Sequence, residues 1–163
     1  MQDILGEESL RDRGFEGFVP FQNLQLNTVP AGPGIYAVLR GAEHDVLESS
    51  IGGHFKGKNP SADPRTLRLR LDVPTMLLYI GKADSGTRGT RGLRARITEL
   101  TRFGKGEPVG HWGGRYLWQL SNAQKLRIAW LPVDGTTARA VESAYFEEFF
   151  TLHGQLPFAN LRR

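Results

Sequence analysis

The run Met76-Leu77-Leu78-Tyr79-Ile80-Gly81 constrains this chain more than any other feature. It is nearly all apolar and only six residues long, cut off by Lys82. That pattern reads as a buried strand at the centre of a sheet. A buried strand needs partners, and two segments qualify. The turn Pro30-Ala31-Gly32-Pro33-Gly34 feeds Ile35-Tyr36-Ala37-Val38-Leu39, and Leu126-Arg127-Ile128-Ala129-Trp130-Leu131 forms a third strand. Between them, Leu93, Ile97 and Leu100 recur at helical spacing, which predicts a helix over 93–103. A last helix starts at Gly135-Thr136-Thr137, with threonine as N-cap, and ends near His153-Gly154. The class is α+β: a small central sheet with helices packed on it.

The remaining stretches look irregular. Residues 1–30 form an N-terminal extension whose Phe15, Phe18 and Phe21 pack onto the domain. Residues 41–75 are polar and turn-rich, a long loop with a short helix at 64–70, and 104–124 is Gly-rich and aromatic. At 163 residues the chain suits a single domain, 1–163, with 41–75 and 104–124 as insertions. It has no cysteine, which excludes disulfides and thiolate metal sites, and its four histidines are scattered. Any metal would be a hard cation held by oxygen. No apolar run approaches the ~20 residues of a membrane helix, and the acidic N-terminus lacks a signal-peptide core, so a cytoplasmic protein is expected. The net charge of +4 weakly favours a polyanionic partner and is equally compatible with a solvated basic surface.

Two charges stand beside apolar helix stripes. Arg96 flanks the Leu93/Ile97/Leu100/Phe103 stripe, and Glu142 flanks Ala138/Val141/Tyr145/Phe149/Leu152. A charge turned towards a core is costly without a partner. Either Arg96 and Glu142 form a structural ion pair, or both line a cleft that receives a metal and a phosphate.

These residues belong to a longer constellation. Gly34-Ile35-Tyr36 and Tyr79-Ile80-Gly81 are followed in order by Lys82, Leu93-Arg94-Ala95-Arg96, Ala138-x-x-x-Glu142 and Pro157-x-x-Asn160. Six elements in this order over residues 34–160 resemble the GIY-YIG nucleases. The resemblance implies a three-stranded antiparallel sheet flanked by helices, with the site on one face, and a metal-dependent DNA endonuclease. It further implies that Glu142 holds a divalent cation, Mg²⁺ or Mn²⁺. Tyr36 and Tyr79 would face the attacking water, Arg96 and Lys82 would neutralise the scissile phosphate, and Asn160 would orient the site by hydrogen bonding. The residue types suit phosphodiester hydrolysis, which needs in-line attack and neutralised phosphate oxygens. Mg²⁺ needs only one or two carboxylates when water and substrate phosphate complete its shell. Either a tyrosine acts as base, its pKa lowered by Lys82, Arg96 and the metal, or its hydroxyl only positions water.

The pattern departs from the family in four places. Residues 41–75 separate the two tripeptides, which relatives join by a short hairpin; Lys56 and Lys58 are candidate phosphate contacts there, unless the loop is inert. Leu100 stands where several relatives carry histidine or tyrosine, and His111 is the candidate substitute. Glu142 lies farther from Asn160 than usual, and Glu148 fits that distance better, although Glu142 matches the motif. No DNA-binding module is attached, so binding rests on Arg88, Arg91, Arg94 and Arg115, with strong salt dependence. Specificity would then come from DNA structure or from a second protomer in a homodimer. The alternative is a catalytically silent nucleic-acid-binding domain of the same fold.

Overall fold

Strands β1 (Glu16–Pro20), β2 (Gly34–Leu39), β3 (Leu77–Ala83) and β4 (Arg127–Pro132) form one antiparallel sheet in the order β1-β4-β2-β3. The computed structural model describes residues 3–86, 88–134 and 136–162. Thr87, in the loop after β3, and Gly135, expected at the start of the last helix, lie outside the described residues. Helices are α1 (Glu7–Asp12), α2 (Pro64–Leu71), α3 (Leu93–Gly104) and α4 (Ala138–His153). Among the described residues no helix is long and apolar enough to cross a membrane. The α+β class follows as expected, with one more strand than the three read from the sequence.

The extra strand, β1, lies in the stretch expected to be irregular. Its Gly17 and Phe18 have positive φ of 96° and 58°, and its register with β4 shifts between Gly17 and Val19. A Cβ at Gly17 would press into the Trp130 ring. The bulge breaks the alternation that marks a strand, which is why the sequence hides it. Phe15, Phe18 and Phe21 are buried, as anticipated.

The second correction concerns β3, which is an edge strand rather than a central one. Its burial comes from another source. Beyond β3, the Ala159 N–H donates to the Leu78 carbonyl at 2.9 Å. Asn160 accepts the Ile80 N–H at 2.9 Å and donates to the Ile80 carbonyl at 2.8 Å. The C-terminal turn thus satisfies the outer backbone groups of β3 between Leu78 and Ile80, as an edge requires. Arg70 of α2 holds that turn in place by donating to the carbonyls of Pro157, Phe158 and Asn160. The 41–75 segment is therefore a brace rather than a loose loop. It is pinned a second time by buried Gln119, which bonds the backbone of Ala62 in both directions and the Leu47 carbonyl.

Strand alternation, reset at Leu78 where the β2–β3 register shifts, sorts the core onto two faces. Ile35, Ala37, Leu39, Leu77 and Ile80 pack with Tyr145, Phe146 and Phe149 of α4. Tyr36, Val38, Leu78 and Tyr79 pack with Leu93, Ile97, Leu100 and Phe103 of α3. Helix α3 lacks a side-chain cap; its first N–H groups, from Leu93 and Arg94, donate to the carbonyls of Gly32 and Pro30 at 2.8 and 3.0 Å. The turn that launches β2 thereby also sets the start of α3. A Cβ at Gly92 would overlap the Ala31 carbonyl, so glycine is required for this docking. At α4, Thr137 makes no side-chain cap bond; the Asp134 carboxylate accepts the Thr136 N–H at 2.9 Å instead. Gly154, with φ of 69°, ends the helix as expected.

Candidate active site at the edge of the sheet

Because β3 is an edge strand, helices from both faces of the sheet can meet beside it. They do so around Gly81. A hollow of about 360 Å³ is lined by Tyr36 from β2, Tyr79 and Lys82 from β3, Arg91 from the loop before α3, Arg96 from α3, and Glu142 from α4. Five of the six residues expected to act together therefore share one depression. The sixth, Asn160, lies behind it, holding the backbone of Ile80 between Tyr79 and Gly81.

The register explains the glycine of the second tripeptide. Tyr36 pairs with Gly81 across the β2–β3 ladder, and a Cβ at position 81 would overlap the Tyr36 ring. Glycine makes room for the phenol to lie across the strand. Tyr79 lies diagonally from Tyr36, with ring centroids 5.9 Å apart. Gly34 has the same kind of role on the other side, since a Cβ there would overlap the Leu131 carbonyl.

The phenols are buried, at 1% exposure for Tyr36 and 6% for Tyr79. Burial pushes both hydroxyls above their ordinary value, Tyr36 strongly. Arg96 opposes that rise at both residues without cancelling it, and Lys82 is not among the influences on either. Arg96 thus acts in the expected direction, but in the protein alone desolvation outweighs the nearby charge and the net direction is upward. The contact between the two phenols favours keeping the proton on Tyr36 and eases ionisation of Tyr79. Of the two, Tyr79 is the better placed to accept a proton or hold a water.

His111 reaches this cluster from the 3₁₀ helix region that begins at Trp112. Its ring is wholly buried, and Nε2 lies 2.8 Å from the Tyr36 hydroxyl. Burial, aided by the Arg96 charge, drives its pKa down to about 3, so the ring is neutral near pH 7. Nδ1 has no hydrogen-bond partner among the described residues. Gly114 lies against both the His111 ring and Leu100. His111, the candidate expected to substitute for the residue absent at Leu100, thus joins the two phenols.

The charged groups differ in their partners. Arg96 Nη1 donates to Glu99 Oε2 and to the Gly110 carbonyl, both at 2.8 Å. Arg91 pairs with the same Glu99 at 2.5 Å. Lys82 Nζ lies 2.6 Å from Asp84 Oδ2, and Asp84 also lines the hollow. Glu142 is half-buried and has no hydrogen-bond or ion-pair partner among the described residues. The expected alternative, a structural Arg96–Glu142 ion pair, is therefore not formed. Burial raises the Glu142 pKa; Lys82 and Arg139 oppose the rise and Asp84 reinforces it.

Sequence reading missed Asp84 and Glu99, although each had a signal. Asp84 is two residues beyond Lys82, on the same side of an extended chain. Glu99 is three residues beyond Arg96 on a helix. Other expectations fall away from the hollow. Arg94 donates to the carbonyls of Val29 and Asn27, tying α3 to the segment before β2. Glu148 is held bidentately by Arg13 at 2.7 Å and does not line the hollow, whereas Glu142 of the same helix does. Lys56, Lys58 and the exposed Arg88 line none of the cavities around the site, and Arg115 lines an adjoining one.

Among the described residues no group of three histidine or acidic side chains could hold a metal ion by itself. Glu142, with Asp84 nearby, offers what a hard cation takes when water and substrate oxygens complete its shell. An unpartnered, half-buried carboxylate is the donor such an ion would compensate. Comparison of the chain with family models, with curated proteins and with solved structures finds no match to any of them.

Proposed function

We propose that this protein is a GIY-YIG-type endonuclease that hydrolyses a phosphodiester bond of DNA with one divalent metal ion. The observation that carries the reading is the meeting of two buried phenols, a guanidinium and an unpartnered carboxylate, from four separate elements, in one solvent-reached hollow. Mg²⁺ or Mn²⁺ would be held by Glu142 and would neutralise phosphate charge and stabilise the leaving oxygen.

The remaining work falls to the chain itself. The Arg96 guanidinium, fixed by Glu99 and the Gly110 carbonyl, keeps N–H groups for a phosphate oxygen. Such donors act strongly because they are aimed before the reaction begins. Lys82 adds a second positive charge, shared with Asp84. Tyr79 orients the attacking water and takes its proton if the bound metal lowers the phenol's pKa. Tyr36 supports Tyr79 from behind and is itself fixed by neutral His111. His111 is neutral near pH 7, and its Nε2 is engaged by the Tyr36 hydroxyl.

A plasmid-nicking assay with Mg²⁺ or Mn²⁺, run beside Glu142→Ala, tests the proposal. Metal-dependent nicking by the wild type should fall by about 10³-fold in the variant. Salt-sensitive DNA binding with no nicking under any metal would instead identify a silent binding domain of the same architecture.

A further inference from the structure

A second hollow, of about 550 Å³, adjoins the first and shares Tyr79 and Glu142 with it. Its other walls come from β3, α4, the 104–124 segment and the C-terminal turn, chiefly Ile80, Phe146, Trp112, Arg115, Asn160 and the exposed Arg162. Arg115 distinguishes it. In the first hollow every cation has an acid: Lys82 has Asp84, while Arg91 and Arg96 share Glu99. Arg115 has no carboxylate within 4 Å among the described residues, although its guanidinium is partly buried and faces the same hollow as Glu142.

The group is held in place without being neutralised. Its guanidinium carbon stands 4.5 Å from the Trp112 ring centroid and 5.2 Å from that of Tyr116. Nη1 donates to the Trp112 carbonyl at 3.0 Å. Two aromatic contacts and one backbone bond hold the group, and its remaining N–H groups have no hydrogen-bond partner among the described residues. A pre-aimed guanidinium without a counter-ion suits a phosphate. A nucleic-acid strand carries one phosphate per ~3.4 Å of helix axis, so a strand with its reacting phosphate in the first hollow must lay a neighbouring one close beside it.

We propose that the second hollow binds the phosphodiester next to the scissile one, with Arg115 as its ligand and Trp112 as the plate that holds Arg115 flat. This rests on the nuclease reading for the word scissile. The phosphate site itself does not need cutting to be seen.

Affinity for a 20-base-pair duplex is measured in EDTA over a range of salt concentrations, for the wild type and for Arg115→Ala, Arg115→Lys and Trp112→Phe. The slope of log affinity against log salt should shrink by about 0.9 in Arg115→Ala, one phosphate contact, and stay unchanged in Arg115→Lys. Trp112→Phe should keep the slope and weaken binding a few-fold. Arg115→Gln replaces the alanine variant if thermal melting shows the latter to be unfolded. A wild-type slope in Arg115→Ala or Arg115→Gln would overturn the proposal. If that slope is lost while the wild type fails to nick DNA in Mg²⁺, the phosphate site stands and the nuclease reading falls. If the wild type nicks and the slope is unchanged, the reverse holds.

Discussion

Helices α3 and α4 pose the same problem and solve it differently. Each carries a charge beside an apolar stripe, and each turns it into the hollow beside β3. On α3 the charge is fully met: Arg96 has Glu99 one turn on and the Gly110 carbonyl from the following segment. On α4 it is not met, since Glu142 has no hydrogen-bond or ion-pair partner among the described residues. Helical spacing shows where a charge sits and says nothing about what answers it. The α3 wall is complete in the protein alone, whereas the α4 wall carries a charge that, on the proposed reading, a cation would answer. Under the proposed nuclease reading, the side with its charge already met would face the phosphate and the unmet charge would face the metal.

The finished wall should be the more sensitive to shape. Arg96→Lys keeps the charge but loses the planar fork that serves Glu99, Gly110 and a phosphate oxygen together. Single-turnover nicking should slow by about 10²-fold, with DNA affinity in EDTA little changed. A lysine variant that cuts at the wild-type rate would mean that only the charge on α3 matters, and the contrast with α4 would collapse.

Glu99 sharpens the same contrast. It is shared between Arg91 and Arg96, which hold its own pKa below the ordinary value against the effect of burial. Glu99→Gln leaves Arg91 without its acid and loosens Arg96. DNA should bind a few-fold more tightly in EDTA, because one negative charge near the phosphates is gone. Turnover should nevertheless fall by about tenfold, because Arg96 is no longer aimed. If both quantities rise together, Glu99 competes with substrate and does not position the arginine.

The sequence exposed the long, periodic elements: β2, β3, β4, α3 and α4 all lie close to where apolar spacing puts them. What it hid depends on contacts between distant residues. The strand β1 is short, and its bulge at Gly17 and Phe18 destroys the two-residue period. The near-continuous apolar run of β3 suggested a central strand, but the covering comes from Asn160, eighty residues on, and from Arg70 behind it. A run of apolar residues reports burial, and cannot report whether a strand or a turn supplies it. The site divides in the same way. Tyr36, Tyr79, Lys82, Arg96 and Glu142 were readable because a motif names them; Asp84 and Glu99 were missed, although local spacing pairs them with cations. The hydrogen bond from His111 to Tyr36 spans 75 residues and has no periodic signature.

The unmet charge on α4 gives the smallest effect and the most direct test of the comparison. Burial raises the Glu142 pKa above its ordinary value. A carboxyl whose folded value exceeds its unfolded one favours the fold when protonated, so its contribution is present in acid and lost as pH rises through the folded value. Glu142→Gln keeps the shape and removes the charge. It should therefore raise Tm at pH 7, by about 2 °C or less, and the gain should fade as pH falls from the raised folded value of Glu142 to the ordinary value it has when unfolded. Adding Mg²⁺ should raise the Tm of the wild type and leave that of the variant unchanged, since only the carboxylate form has a ligand to bind. A glutamine variant less stable than the wild type at pH 7 would show that the carboxylate is already satisfied in the folded protein. The two helices would then present equally finished walls, and the case for a cation at Glu142 would lose its physical basis.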